Sequence, residues 1–483
     1  MIAVVNQGCA ANFGDGEKIA RILSQAASVR FGFPEPGEEI PDTFYLNVCT
    51  VKGNAGAIKL LRRVLDDYPG ARIFITGCAP KDFREEVARV TDKVIYTNRE
   101  EITARFRVGA RNDEECGARN DAECGARNDV KSDGRNDEEC GARNDEECGA
   151  RNDEECGARN DEVRDGSSRS EDDERGMATL RESPFVGIVN IEEGCLDACA
   201  FCSTHLVKGR LHSYAPDYIE SQVRHAVKSG CKEIQLTGQD CACYGFDIGT
   251  NLAELMQRIL AHVPGDYKIR LGMGNPRHIA PYMDAFLDCF TDERLYRFIH
   301  VPVQSGSDRV LRAMNRRHTV EDYSRVAGAI AERYGDLFTL STDLIVGHPG
   351  EAQEDFELTL KLLESTRPTV ANITRFVARP GTPAARLEAG ASPEYAPVAD
   401  TVKHERSAIL AAAFQRIATE NNLKWVGTRC TAVTEKRGYR EGTTICRNAA
   451  YRPVAVQGDY PAGVALDVRI TGAEPFALLA EVL

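Results

Sequence analysis

A chain of 483 residues with 42% hydrophobic content is too long for one ordinary core. It contains no run of the roughly 18 apolar residues that a membrane-spanning helix needs, so a multidomain protein with no membrane partner is expected. The net charge of −14 disfavours a nucleic-acid partner only until it is located: residues 107–176 hold 12 Lys/Arg against 23 Asp/Glu, a local net of −11, leaving −3 on the other 413 residues. A nearly neutral remainder permits a local basic groove.

In chain order, residues 2–6 read as a strand and lack the basic flank and apolar core of a signal peptide, so a cytoplasmic location is expected. Across residues 1–106, apolar runs at 2–6, 44–48 and 72–76 are each followed by an amphipathic stretch. That alternation predicts an α/β domain with a parallel sheet and helices on its faces. Residues 107–176 repeat the octad Gly-Ala-Arg-Asn-Asp-Glu-Glu-Cys and contain almost no large apolar side chain. Such a segment cannot bury enough surface to offset its ordering entropy, and a disordered acidic insertion is expected. Its cysteines, Cys116, Cys124, Cys140, Cys148 and Cys156, stand one per octad and lack the close pair that seeds a metal site.

Residues 177–421 repeat the alternation on a larger scale, with strand candidates at 185–191, 233–237, 268–271, 298–301, 339–345 and 371–376, and helical stretches such as 216–229, 252–262 and 352–365. Six such units predict a central partial (βα)6 barrel whose chemistry sits at the carboxyl ends of its strands. Residues 398–421 read as a connecting helix. Residues 424–483 show Gly-punctuated alternating runs at 430–434, 454–457 and 464–470, which predict a small β-barrel. This last part carries 8 Lys/Arg and 6 Asp/Glu, and Lys436, Arg437 and Arg440 cluster in one loop that could meet phosphates or simply be solvated.

Seventeen cysteines in a long chain without a signal peptide point to metal or catalytic chemistry rather than disulfides. Directly after the first barrel strand stands Glu193-Gly194-Cys195-Leu196-Asp197-Ala198-Cys199-Ala200-Phe201-Cys202. Three thiolates on one loop can hold three irons of a 4Fe–4S cube and leave the fourth iron open. A cysteine stripe on a helix, or a Cys3His zinc site completed by His205, are the competing readings. The CxxxCx-aromatic-C spacing resembles the radical S-adenosylmethionine (SAM) superfamily. That resemblance implies that Cys195, Cys199 and Cys202 hold the cluster to which SAM binds, and that SAM is cleaved there to a 5′-deoxyadenosyl radical.

Cys9, Cys49 and Cys78 each follow a predicted strand, in Val-Val-Asn-Gln-Gly-Cys9, Tyr-Leu-Asn-Val-Cys49 and Phe-Ile-Thr-Gly-Cys78. Strands of a parallel sheet end on one edge, so these cysteines are expected to converge, although three independent buried cysteines could produce the same pattern. Gly8-Cys9-Ala10-Ala11-Asn12 with Asp15 and Glu17, Asn47-Val48-Cys49 and Gly77-Cys78-Ala79-Pro80 resemble the methylthiotransferase family of radical SAM enzymes. The resemblance implies a second, auxiliary 4Fe–4S cluster on these cysteines and a C-terminal TRAM-like barrel that holds RNA. The remaining cysteines, Cys231, Cys241, Cys243, Cys289, Cys430 and Cys446, read as small apolar residues. At other barrel strand ends, Gln239, Gln304, Ser305, Gly347, Gly350 and Glu351 are candidates for the amino, carboxylate and ribose groups of SAM. His348 stands where the family usually has an aromatic residue.

Lys208–Tyr214, Tyr244–Leu252 and Leu271–Pro276 look like the archaeal and eukaryotic branch, which acts on threonylcarbamoyladenosine beside the tRNA anticodon. The resemblance therefore implies a tRNA partner, a two-SAM reaction that places a methylthio group on carbon-2 of the adenine, and a flavodoxin- or ferredoxin-like electron donor. No residue identifies the sulfur donor or a general acid or base. Another tRNA adenosine, a ribosomal protein, and a non-catalytic iron–sulfur or zinc RNA-binding protein are the alternatives. The tail 475–483 is too short for the membrane anchor with which eukaryotic relatives often end.

Loop-closure entropy grows only with the logarithm of length, so a long insertion between two folded parts costs little more to close than a short one. Replacing residues 109–166 by a short Gly/Ser linker is expected to preserve both clusters and tRNA modification, read as iron content and modified nucleoside. Loss of either in a folded deletion variant would assign the octads a role.

Overall fold

The computed structural model describes residues 1–49, 54–99, 101–104 and 180–483, so the expected acidic insertion lies outside the described residues. The N-terminal part is an all-parallel sheet of β1 (Ile2–Asn6), β2 (Val29–Phe31), β3 (Thr43–Cys49), β4 (Arg72–Cys78) and β5 (Val94–Tyr96), in the order β2-β1-β3-β4-β5. Side chains alternate between its faces. Ala3, Val5, Phe44, Leu46, Val48, Ile73 and Ile75 pack with residues of helices Ala55–Asp67 and Lys81–Ala88. Val4, Tyr45 and Phe74 pack on the opposite face with Ile19, Ala20 and Leu23 of helix Ala10–Leu23. Central β3 is therefore buried along its whole length, as a parallel strand covered on both faces must be.

The central part begins with β6 (Val186–Asn190), followed by the short antiparallel pair β7 (Glu192–Glu193) and β8 (His212–Ser213). Then come β9 (Glu233–Thr237), β10 (Lys268–Leu271), β11 (Phe298–His300), β12 (Thr339–Val346) and β13 (Val370–Arg375). They form two parallel three-stranded sheets, β6-β9-β10 and β11-β12-β13, joined by parallel bridges Ile269↔Leu295 and Met273↔His300. The six expected βα units are thus present as one curved run of strands. Helix Asp400–Leu423 packs against β13 and helix Gln353–Thr366 and leads into the last part.

There β14 (Arg429–Arg437), β15 (Thr443–Asn448), β16 (Pro453–Gln457), β17 (Ala465–Glu474) and β18 (Ala477–Val482) close a barrel in the order β14-β15-β16-β18-β17. The sequence pattern marks three of these strands. β15 is missed because Thr443, Thr444, Arg447 and Asn448 dilute its alternation, and the apolar tail is a barrel strand whose Leu478 sits in the core.

The N-terminal sheet meets the central barrel through a polar cluster. Asp15, on helix Ala10–Leu23, accepts from Lys208 Nζ at 2.7 Å and from Asn190 Nδ2 at 3.1 Å. Arg99 reaches Glu193 at 2.8 Å, and Lys18 lies 5.1 Å from the centre of the Tyr214 ring. Burial alone would raise the Glu193 carboxyl, but Arg99 and Lys18 outweigh it and hold the group down at about 2. Removing one member of such a half-buried set leaves its partners uncompensated. Asp15→Ala is expected to cost about 2 kcal/mol and to open this interface, read as a lower thermal midpoint and faster proteolysis. An unchanged midpoint and cleavage rate would show that the two parts are held by other contacts.

Candidate active site

The loop from Gly194 to Cys202 leaves the carboxyl end of β6 by way of β7. Gly194 takes φ +81°, and a Cβ there would lie 1.9 Å from the Arg210 carbonyl oxygen, so only glycine allows the two segments to cross. Gly194 N donates to Gln239 Oε1 at 2.7 Å, and Ala200 N donates to Met314 O at 2.8 Å. Asn315 Nδ2 donates to Ala198 O at 2.7 Å. Asp197 is buried and accepts from Asn275 Nδ2 at 2.6 Å and Arg277 Nη1 at 3.0 Å.

Cys195, Cys199 and Cys202 are each half-buried on this loop. Asp197 N donates to Cys195 Sγ and Arg316 Nη1 to Cys199 Sγ, both at 3.4 Å, which favours thiolate at both positions. Burial pushes the Cys199 thiol up to about 11, with Arg316 pulling against it. A tetrahedral zinc site needs ligand atoms within about 4 Å of one another. Among the described residues, the only His/Cys/Asp/Glu group with ligand atoms within 4.8 Å of one another is Asp240, Cys243 and His278. Three soft thiolate donors on one loop, two of them met by N–H donors, fit three irons of a four-iron cluster.

Cys243, read from the sequence as a small apolar residue, is buried, donates to Asp240 O at 3.1 Å and lies against Cys195, a contact that lowers the Cys195 thiol. Forty-odd residues separate the two cysteines, and no spacing rule connects them. The signal that could have found Cys243 is its place just past a strand end, shared with the six candidate ligands.

On the N-terminal sheet, β3 and β4 pair with Cys49 opposite Cys78. Cys9 is the N-cap of helix Ala10–Leu23, and its contact with Cys49 raises its thiol. A Cβ on Gly8, at φ +133°, would lie 2.3 Å from Cys49 Cβ, so the glycine admits this approach. Asn12 Nδ2 donates to Asn47 O at 3.0 Å and Asn47 Nδ2 to Asn12 O at 2.6 Å, locking the turn after β1 to the end of β3. The expected convergence thus appears as a Cys9–Cys49 contact and a Cys49–Cys78 register pair. The side chain of Cys78 lies outside the described residues.

The candidate SAM contacts divide. Gln239 is half-buried at the end of β9 and ties down Gly194, while Gln304 takes φ +75°, unusual for a non-glycine residue. Ser305 is fully buried, 3.3 Å from Thr359 Oγ1. Glu351 accepts from Arg406 Nη1 at 2.6 Å and from Gly347 N at 2.9 Å. Gly347 and Gly350 approach protein: an added Cβ would meet Lys403 Cγ at 2.3 Å and Tyr395 Cδ1 at 2.9 Å. The described contacts of Glu351, Gly347 and Gly350 hold the connecting helix and its lead-in segment to the barrel, and that of Ser305 holds helix Gln353–Thr366.

Two parallel sheets with cysteines at their carboxyl ends, one carrying CxxxCxxC on a barrel loop, define a radical SAM enzyme, and the Radical SAM superfamily model matches residues 189–363. Three similar proteins are named as threonylcarbamoyladenosine tRNA methylthiotransferases, the two archaeal ones as probable. The one from Archaeoglobus fulgidus is 40% identical over 58% of this chain and 63% of its own length. The one from Pyrococcus horikoshii is 31% identical over 100% of this chain and 99% of its own. The human one is 34% identical over 58% of this chain and 46% of its own. The chain belongs to the threonylcarbamoyladenosine tRNA methylthiotransferase family.

His348 is fully buried, its ring meets Phe376 edge-on at 5.1 Å between centroids, and its Nε2 has no hydrogen-bond partner. It fills an aromatic's place, and burial lowers its pKa to about 4. Such a group stays neutral in the fold while the unfolded chain takes up a proton below about 6.5, so stability falls as pH drops from 6.5 towards 4. His348→Phe is expected to raise the thermal midpoint. It should also remove about 2 kcal/mol of the destabilisation on going from pH 7.5 to 5, measured as midpoints at both pH values. Parallel pH profiles for the two proteins would refute this account.

Proposed function

We propose that the protein converts threonylcarbamoyladenosine next to the tRNA anticodon into its 2-methylthio derivative. The observation that carries this reading is the pairing of two cysteine sets at the carboxyl edges of two parallel sheets that meet through Asp15, Lys208, Arg99 and Glu193. When bound, the two 4Fe–4S clusters and SAM supply the radical, the sulfur route and the methyl group. Cys195, Cys199 and Cys202 are assigned to one cluster, and Cys9, Cys49 and Cys78 to the other. Asp197 and Gln239 hold the first loop in place, and Asp197 N and Arg316 lend hydrogen bonds to its sulfurs. Gln304 is the residue of the candidate SAM set whose strained backbone best suits a ligand contact.

An adenine in the anticodon loop is unstacked more easily than one in a duplex and can be presented to the cysteine loop. The C-terminal barrel supports RNA holding through Tyr439, 94% exposed between β14 and β15 and flanked by Arg437 and Arg440. An exposed ring beside guanidinium groups is a stacking platform for a base. Arg437 and Arg440 face Asp459 at 3.1 Å and Glu474 at 2.6 Å, so phosphates would replace these carboxylates. Action in the cytoplasm with a flavodoxin- or ferredoxin-like donor completes the reading.

Anaerobically reconstituted protein is expected to hold about eight irons, and a Cys195→Ala, Cys199→Ala, Cys202→Ala variant about four. A Cys9→Ala, Cys49→Ala, Cys78→Ala variant should still cleave SAM when reduced but yield no methylthio nucleoside. Mass spectrometry of tRNA nucleosides from cells with and without the gene tests reaction and substrate together. Methylthio product from the second variant, or an unchanged nucleoside profile, would sink the proposal.

A further inference from the structure

We propose that a shallow cavity beside the cysteine loop is the docking point of an acidic one-electron carrier protein. The inference rests on the radical reading above, which requires an electron from outside. The cavity, about 230 Å³, is lined by Leu196, Phe246, Arg277, His278, Pro281 and Arg317. Leu196 stands between Cys195 and Cys199 in sequence and is 46% exposed, so here the surface reaches the residues that would hold the cluster. The N-terminal part meets the barrel through Lys208, Asn190 and Glu193, none of which lines the cavity. Base and carrier therefore need not compete for one entrance.

The chemistry of the lining selects the partner. Arg317 is exposed and has no carboxylate partner among the described residues. Arg277 gives one Nη1 to Asp197 and keeps 40% of its side chain exposed. No acidic residue lines the cavity, and Leu196, Phe246 and Pro281 give it an apolar centre. An apolar centre edged by cations suits a small, transient contact with an acidic protein, in which charge speeds encounter and little buried area allows release after each transfer. In that transfer the reduced carrier loses one electron and the site on the cysteine loop gains it, with no bond made or broken at the surface. An RNA backbone is the other polyanion that could sit here, but a compact cavity with an apolar floor gives a run of phosphates little to follow.

The test uses reconstituted full-length protein and an acidic flavodoxin as probe, with Arg317→Glu, the milder Arg317→Gln and the conservative Arg317→Lys. Calorimetric titration with oxidised flavodoxin is expected to show binding about fivefold or more weaker for Arg317→Glu at low salt, a difference that shrinks as salt is raised. Arg317→Gln should be intermediate and Arg317→Lys near wild type. SAM cleavage driven by flavodoxin and its reductase should fall in the same order, while cleavage driven by dithionite, iron content and tRNA affinity stay unchanged. Equal flavodoxin binding and flavodoxin-driven rates in all four proteins would overturn the docking site. A loss of tRNA affinity with flavodoxin binding intact would overturn it in favour of RNA. If wild-type protein with full iron fails to cleave SAM with dithionite, the radical reading itself falls, and this inference with it.

Discussion

The position of the cysteine loop depends on one buried carboxylate. Asp197 lies between Cys195 and Cys199 and binds Asn275 at 2.6 Å and Arg277 at 3.0 Å. His278, 3.8 Å from Asp197, contacts Asp240 at 2.8 Å through its other ring nitrogen, and Asp240 also accepts from Asn275 N at 2.9 Å and Ala242 N at 3.2 Å. A loop without ladder hydrogen bonds must be ordered against backbone entropy of about 1–2 kcal/mol per residue. A buried carboxylate is costly unless its lone pairs find donors, and here both donors come from the segment that follows β10. The loop that starts from β6 is thereby fixed to the end of β10, and through Gln239 to the end of β9, so its sulfurs inherit the rigidity of the sheet.

The same economy governs the contact between the two cysteine sets. Asp15 lies six residues after Cys9 on the helix that Cys9 caps, and Lys208 lies six residues after Cys202, on the short helix Thr204–Lys208. One ion pair of 2.7 Å thus joins the two cysteine-bearing segments. Asn190, the last residue of β6, binds the same carboxylate, so Asp15 ties the helix that Cys9 caps to both β6 and the short helix after Cys202. Lys18 on the next turn is half-buried, and desolvation lowers it to about 8, while Arg99 and Glu193 lie close by. The hydrogen bonds and ion pairs of this interface suit two parts that must hold one distance, because directional bonds specify geometry where apolar packing tolerates sliding.

The sequence made the architecture legible where one physical signal dominates. Apolar runs spaced by amphipathic stretches gave the parallel sheets, and cysteines just past those runs marked both sites, because a parallel sheet forces its strand ends onto one edge. Signals that need the third dimension were hidden. Cys243 looks like any core cysteine until β9 is laid beside β6. Ser305 and Glu351 carry polar atoms at strand ends, as a ligand site requires, yet Ser305 meets Thr359 and Glu351 meets Arg406, and nothing in the local sequence announces either partner. Strand β15 escaped because a small closed barrel supplies each strand with neighbours on both sides, so less apolar content suffices.

The C-terminal barrel shows how the strand polarity divides the molecule. Tyr451, at φ +57°, stacks with Tyr296 and Phe298 at centroid distances of 4.7 and 5.1 Å and donates to Glu233 at 3.2 Å. Glu233 and Phe298 are the first residues of β9 and β11, so this barrel is fastened to the amino-terminal ends of the strands. Arg447 lies over the Tyr451 ring at 4.6 Å and binds Glu435 at 2.7 Å, which keeps the contact charged as well as aromatic. Binding at the strand starts leaves the carboxyl ends to the N-terminal sheet and the cysteine loop. Chemistry and attachment therefore use opposite ends of the same strands, and the C-terminal barrel is anchored without taking surface from the cysteine loop.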